Sequence, residues 1–184
     1  MMRALRPTLI AVLLAAAAGL ASPASAQENG VGPVTKLPLP RYASLKTDRV
    51  NLREGPSKDH RTLWVYQRAG LPVEIIGEFE TWRRIRDSEG TEGWVLHSLL
   101  SGRRTAIVSA GPDKDGVKAA VPLRAKPEDT ATDEARLQTG VIGSVKNCTG
   151  SWCRLIVALP SKRDVDGYVR QTRLWGVYPN EKVE

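Results

Sequence analysis

The feature that most constrains the fold is an internal echo. The series Val50-Asn51-Leu52-Arg53, Pro56, Gly70, Trp82, Gly93-Trp94-Val95, Leu100 returns as Val121-Pro122-Leu123-Arg124, Pro127, Gly140, Trp152, Gly167-Tyr168-Val169, Leu174. Arg53 and Arg124 are 71 residues apart, Gly70 and Gly140 are 70 apart, Trp82 and Trp152 also 70, and Gly93 and Gly167 are 74 apart. Loop insertions shift such spacings while leaving the order intact, so the chain reads as two copies of one small unit. Units of about 60 residues lie near the lower size limit for a self-supporting core. Mutual packing or a covalent staple is therefore expected.

Within the copies the apolar period is two. Val50 and Leu52 alternate with Asn51 and Arg53, as a strand with one buried face requires. Glu54-Gly55-Pro56-Ser57 turns the chain into a polar excursion through Asp59 and Arg61, after which Leu63 to Tyr66 can rejoin the sheet. Arg68-Ala69-Gly70 is a tight turn, Leu71 to Ile76 a strand with a bend or bulge at Gly77, and Asp87-Ser88-Glu89-Gly90 a hairpin turn before Gly93-Trp94-Val95-Leu96. Leu99-Leu100 is expected in a short helical turn. Trp82, Arg84 and Arg86 share one strand face and Arg83, Ile85 and Asp87 the other, so parity alone does not say which is inward.

The second copy follows the same scheme. Thr105 to Ala110 reads as a linking strand, Lys114-Asp115-Gly116 as a turn, and Val117 to Leu123 as the first strand of the unit. Residues 125–135 form a polar loop, with a helical turn at Glu134-Ala135-Arg136-Leu137 as an option. Gly140 to Val145 and Trp152 to Leu159 are strands, and a turn opening at Ser161-Lys162-Arg163-Asp164 accounts for the wider spacing at Gly167. Short strands between turns, with no helical stripe, argue for an all-β chain of two small closed barrels in tandem.

Arg3 and Arg6 precede an apolar run from Leu9 to Leu20, and Ala24-Ser25-Ala26 offers small residues for cleavage. That order is the secretion signature, so residues 1–26 read as a signal peptide and Gln27 as the mature start, placing the product in the periplasm or outside the cell. The apolar run is shorter than the roughly 20 residues that span a bilayer, so no membrane span is expected after cleavage. Residues 27–43, with Gly30, Gly32, Pro33, Pro38 and Pro40, read as a flexible leader. The first unit is set at 44–103, the second at 104–176, and the tail at 177–184, with no evident partner for the tail and Trp175 packing at the end of the second unit or between units.

Residues 1–26 hold Arg3 and Arg6 and no acid, so the net charge falls from +7 to +5 on their removal. A mildly basic, mixed-sign surface favours loose contact with anionic polymers, and export argues against nucleic acid as a partner. Cys148 and Cys153 are the only cysteines, and an oxidising compartment permits their pairing across a turn as a structural disulfide. Their spacing is not C-x-x-C and no histidine lies in that copy, so neither a metal site nor a cofactor is expected. His60 and His97 are the only histidines; His97 could approach Ser98 or the opposite loop, but a solvent-facing or core-edge histidine is the expected reading, and His60 in its polar loop reads the same way. Glu54, Asp59, Asp87, Glu89 and Glu92 sit in or beside turns, where solvation explains them. No enzyme activity is expected.

With these landmarks placed, the chain resembles the bacterial SH3 domain family, and is most similar to exported tandem-domain members of Gram-negative bacteria. The resemblance rests on Val50-Asn51-Leu52-Arg53-Glu54-Gly55-Pro56-Ser57, Gly70-Leu71-Pro72-Val73, Trp82-Arg83-Arg84-Ile85-Arg86 and Gly90-Thr91-Glu92-Gly93-Trp94-Val95. It covers about residues 44–176 and is weaker in the second copy, where Pro122, Lys126 and Tyr168 replace Asn51, Gly55 and Trp94. It implies two SH3-like β-barrels used for binding without catalysis, with a peptidoglycan stem peptide or an envelope protein as partner. The alternative is a structural scaffold of an envelope complex. Candidate groove residues are Trp64, Tyr66, Trp82 and Trp94, whose rings suit short peptides, with Arg83, Arg84 and Arg86 as carboxylate contacts. Tryptophans in so small a unit serve equally as core, and arginines as a solvated face, and residue counting leaves both readings open.

Overall fold

The computed structural model describes residues 30–109, 120–159 and 163–184. The expected signal peptide and mature start at Gln27, the turn expected at Lys114-Asp115-Gly116, the strand start expected at Val117 and the turn opening expected at Ser161-Lys162 lie outside the described residues. A short pair, β1 (Gly30–Val31) and β2 (Pro38–Leu39), leads into β3 (Arg41–Leu45), β4 (Val50–Arg53), β5 (Thr62–Tyr66), β6 (Pro72–Phe79), β7 (Trp82–Arg86) and β8 (Glu92–Leu96). A 3₁₀ turn at His97–Leu99 and β9 (Leu100–Ser101) complete the first copy. The second runs β10 (Thr105–Val108), β11 (Val121–Arg124), β12 (Asp133–Leu137), β13 (Ile142–Thr149), β14 (Trp152–Val157), β15 (Val165–Arg170), a 3₁₀ turn at Gln171–Arg173, β16 (Leu174–Trp175) and β17 (Lys182–Val183).

The strand orders are β5-β4-β8-β7-β6-β3-β9 and β12-β11-β15-β14-β13-β10-β16, the same path twice. The expected closure is not seen. Each path is open, and among the described residues no ladder joins β5 to β9 or β12 to β16. What stands is an all-β chain with two SH3-like sheets. Among the described residues no helix is long and apolar enough to cross a membrane.

Alternation sets what each sheet buries. Val50, Leu52, Val73, Ile85 and Val95 line the first core, and Val108, Leu123, Leu155 and Val169 the second, as two separate clusters. Burial of each such side chain is worth roughly 1.5–3 kcal/mol. The repeated Gly-aromatic-Val word has a steric cause. A Cβ on Gly93 would lie 2.6 Å from Leu52 Cγ and 2.8 Å from the Arg53 carbonyl, and one on Gly167 would lie 2.7 Å from the Arg124 carbonyl. Only glycine lets β8 cross so close to β4, and β15 to β11. The bulge expected at Gly77 is present, where the β6–β7 register shifts between Ile75 and Gly77, with a matching shift between Val145 and Asn147.

Four expectations need correction. Residues 30–43, read as a flexible leader, are built in. β3 pairs with β6 and β9, and the amides of Val34 and Thr35 bond the Glu78 carboxylate at 3.0 and 2.8 Å. Thr105 to Val108 is no mere link, because β10 pairs with both β13 and β16, as β3 does with β6 and β9. Glu134 to Leu137 is strand, not helical turn, with Ala135 opposite Leu123 and Leu137 opposite Val121. The tail has partners: β17 pairs with β13, Val177 joins the second core, and the Tyr178 hydroxyl donates to Glu74 of the first copy at 2.9 Å.

Candidate functional site

Cross-strand register separates the candidate aromatics. Leu52 pairs with Trp64, and Ile85 with Gly93, on the inward face, whereas Trp82 pairs with Leu96, and Arg84 with Trp94, on the outward face. Trp64 and Trp82 therefore do not share a groove. Trp64, 58% exposed, overhangs the edge of its sheet on β5. With Tyr66, Leu71 and the Asp87–Thr91 turn it borders a hollow of about 240 Å³. Tyr66 is buried and donates its hydroxyl to Asp87 at 2.9 Å, and burial followed by the Asp87 charge pushes that phenol's pKa up. Trp94 is half-buried between Arg53 and Arg84.

The arginines singled out in sequence are engaged elsewhere. Arg83 is buried, lies 3.5 Å from Glu78 and donates to the carbonyls of Glu80 and Trp82. Arg84 bonds Glu92 at 2.8 Å, and Arg86 bonds Glu74 at 3.0 and 2.6 Å. Each arginine already faces a carboxylate, so none is a free clamp.

Trp82 is 7% exposed and forms the wall of a cleft of about 280 Å³. Leu96 and Leu99 continue the apolar wall, and Arg49, Arg53 and Lys58 supply the opposite side around Asn51. The placement follows from topology. β4 carries Asn51 and Arg53 outward in alternation with the buried Val50 and Leu52, the turn after it brings Lys58 back, and the 3₁₀ turn after β8 presents Leu99. Arg53 Nη1 donates to the carbonyls of Lys58 and His60 at 2.9 and 2.8 Å, which fixes the loop without cancelling the charge. Among the described residues the side chains of Arg49 and Lys58 have no partner. The cleft thus combines an indole face with three uncompensated cations, an arrangement suited to an apolar peptide segment that carries negative charge. Arg49 and Lys58 escaped sequence reasoning because neither belongs to a repeated word.

A second polar cluster joins the two copies. Ser44 Oγ and Thr105 Oγ1 lie 2.7 Å apart, and Thr105 Oγ1 donates to the Gly70 carbonyl at 2.8 Å. Tyr42 meets Trp175 edge-on at 5.2 Å and Tyr178 at 4.6 Å between ring centroids. Arg104 sits over the Tyr42 ring and bonds Glu181 at 2.8 and 3.0 Å. Burial, with the Glu74 charge next, pushes the Tyr42 phenol up to about 12. Trp175 thus packs between units.

The repeated position that most differs in chemistry lies in the β6–β7 and β13–β14 hairpins. Glu78 pairs across strands with Arg83, and Cys148 with Cys153, at equivalent steps of the register. The first copy holds a buried ion pair where the second holds the Cys148–Cys153 disulfide. Burial would raise the Glu78 carboxyl, but bonds from the Thr35 hydroxyl and amide, Arg41 and the Val34 amide prevail and hold it down at about 2. His60 sits in the loop over Gly55, and His97 Nδ1 lies 3.1 Å from the Thr81 carbonyl. Among the described residues no three His, Cys, Asp or Glu side chains gather as a metal site.

No curated protein matches the chain. Among solved structures, NlpC2 from Trichomonas vaginalis is 12% identical, covering 74% of this chain and 48% of its own, with a TM-score of 0.32. NlpC1 from Trichomonas vaginalis is 13% identical, covering 73% of this chain and 45% of its own, with a TM-score of 0.31. The chain spans about half the length of these structures. A family model described as bacterial SH3 domain matches residues 46–102 and again 117–176, so each SH3-like sheet carries one match. The two matches together cover more than half of the chain, and the chain belongs to the bacterial SH3 domain family.

Proposed function

We infer that the protein is a non-catalytic binding module of the periplasm or the secreted space, and that its first copy takes cell-wall peptide in the Trp82 cleft. The observation that carries this reading is the juxtaposition of Trp82, Leu96 and Leu99 with Arg49, Arg53 and Lys58, none of which faces a carboxylate among the described residues. An indole wall gives a short peptide apolar contact at little entropic cost, and the cations select for acidic character. Stem peptides of peptidoglycan, or an envelope protein with an acidic segment, have that chemistry. The export signature in residues 1–26 supports the location.

A scaffold role is the second reading, favoured by the contacts that Tyr42, Trp175 and Tyr178 make between copies. The two readings separate in a pull-down on purified peptidoglycan. Retention of the protein, lost in Trp82→Ala while circular dichroism stays unchanged, is the expected result. Failure of the unmodified protein to be retained would remove the wall-binding reading and leave the scaffold.

A further inference from the structure

The two copies place their clefts on equivalent strands but fill them differently. Trp82 opens β7 opposite Leu96, and Trp152 opens β14 opposite Arg170. Arg53 and Arg124 occupy the same step, Lys58 and Asp129 each follow five residues later, Thr62 and Asp133 are their cross-strand partners, and Ala120 stands where the first copy has Arg49. In the second copy the Arg170 guanidinium lies over the Trp152 ring, 4.3 Å from its centroid. Its Nε bonds Asp129 Oδ1 at 3.1 Å, and its Nη2 bonds Oδ2. Arg124 Nη1 donates to Asp133 Oδ1 at 2.7 Å. That cleft supplies its own carboxylates and covers its own indole.

The first cleft keeps the tryptophan and the β4 arginine, carries Leu96 and Leu99 where the second copy has Arg170 and Arg173, and has none of those acids. At positions 49, 53, 58, 62 and 96 the side-chain charges come to +3, and at their counterparts 120, 124, 129, 133 and 170 they come to zero. Guanidinium and ammonium groups gathered in one small cleft repel one another, and an arriving anion relieves that repulsion. Charge-assisted bonds to carboxylate are also the strong ones, and Arg favours carboxylate geometry.

We propose that the Trp82 cleft is a carboxylate-binding site, one that takes from its ligand the anion that the second copy supplies from Asp129 and Asp133, and that the second cleft is closed by its own Arg170. The inference rests on the reading that peptide binds at Trp82, and names the group that is recognised there. It also assigns the copies different states: the first open, the second occupied from within.

The test uses protein produced from the full-length sequence and follows the Trp82 indole N–H by NMR. The probes are the pentapeptide L-Ala-γ-D-Glu-L-Lys-D-Ala-D-Ala, its fully amidated form, and all-L trialanine with a free carboxylate. The free acid is expected to bind roughly tenfold or more tightly than the amide, as loss of a charge-assisted bond predicts. Trialanine binding as well as the pentapeptide would keep the carboxylate assignment and shift its source from stem peptides to protein C-termini. Lys58→Asp with Leu96→Arg, which installs the second copy's clasp, is expected to abolish binding. Asp129→Lys with Arg170→Leu is expected to create a second site, seen as a shift of the Trp152 indole. If the acid and the amide move Trp82 at equal affinity, the carboxylate inference fails while the cleft reading survives. If neither probe moves Trp82, both fail.

Discussion

Glu78 offers the sharpest energetic test of the first copy. Its carboxylate, with no solvent exposure, accepts from the Val34 amide at 3.0 Å, the Thr35 amide at 2.8 Å, the Thr35 hydroxyl at 2.5 Å and Arg41 at 2.7 Å, with Arg83 at 3.5 Å. The carboxyl is held at about 2 against an ordinary 4.5. A depressed native pKa stabilises the fold fully above the unfolded value and loses that contribution as pH falls through the native one. The window here runs from about pH 4.5 down to about pH 2. The full separation would correspond to about 3 kcal/mol. Arg41 is one-fifth exposed, so water screens part of it and about 2 kcal/mol is the expected share.

Glu78→Gln removes the charge and turns an amide NH₂ toward backbone amides and guanidinium groups that only donate. It also leaves the buried Arg83 without its counterion, a change that costs about 3 kcal/mol in buried pairs. Urea titrations of both proteins from pH 7 to pH 2 isolate the residue, because other acids with lowered values, such as Asp166, are common to both. The expected result is a gap of about 3 kcal/mol at pH 7 that narrows toward pH 2. Faster amide exchange at Val34 and Thr35 in the variant would accompany it. Equal stability at pH 7, or a gap unchanged by acid, would refute the account.

Reduction of Cys148–Cys153 opens a closure of only five residues' separation. Loop entropy of that length is worth about 2 kcal/mol, so the melting temperature of the second sheet should fall by roughly 10 °C, and any affinity at Trp82 should remain. Calorimetry with and without reductant checks the first point, and equal destabilisation of both sheets would contradict the assignment. Tyr178→Phe removes the donor to Glu74 across the copies. A loss of about 1 kcal/mol in coupling is expected, read as the melting transitions of the two sheets moving further apart, and an unchanged separation would show that this bond does not couple them.

The parts of the fold legible in the sequence are those that a strand fixes locally. Val50 and Leu52 announce a buried face by alternation and Gly77 its bulge, whereas the repeated Gly93 and Gly167 show their reason, the close strand crossing, only once the strands are paired. Built-in residues 30–43 were not legible, because what holds them is Glu78, whose partners lie 37 to 44 positions away. The site was legible by half. Trp82 stands out as a repeated landmark, but its cationic neighbours Arg49 and Lys58 meet it only through the β4 turn. Arg84 and Arg86 looked free because Glu92 and Glu74 are 8 and 12 positions away, distances that only antiparallel pairing closes.

The divergence between copies also bears on the choice between binding and scaffolding. Strand order, bulge position and both close glycine crossings recur, so the backbone task is the same in each half. Among the side-chain changes, two alter the chemistry most. One is the cross-strand step that holds Glu78 and Arg83 in one copy and the disulfide in the other. The second is the cleft, open and cationic around Trp82 but covered by the Arg170–Asp129 pair over Trp152. A stapled copy with a self-satisfied cleft has little left to recognise, yet it supplies Trp175, Tyr178 and Thr105 to the contact with its neighbour. Under the proposed carboxylate site, the second copy supports and the first copy binds. Ligand affinity at Trp82 should then depend on Trp175 through the rigidity of the pair, and on Trp152 not at all.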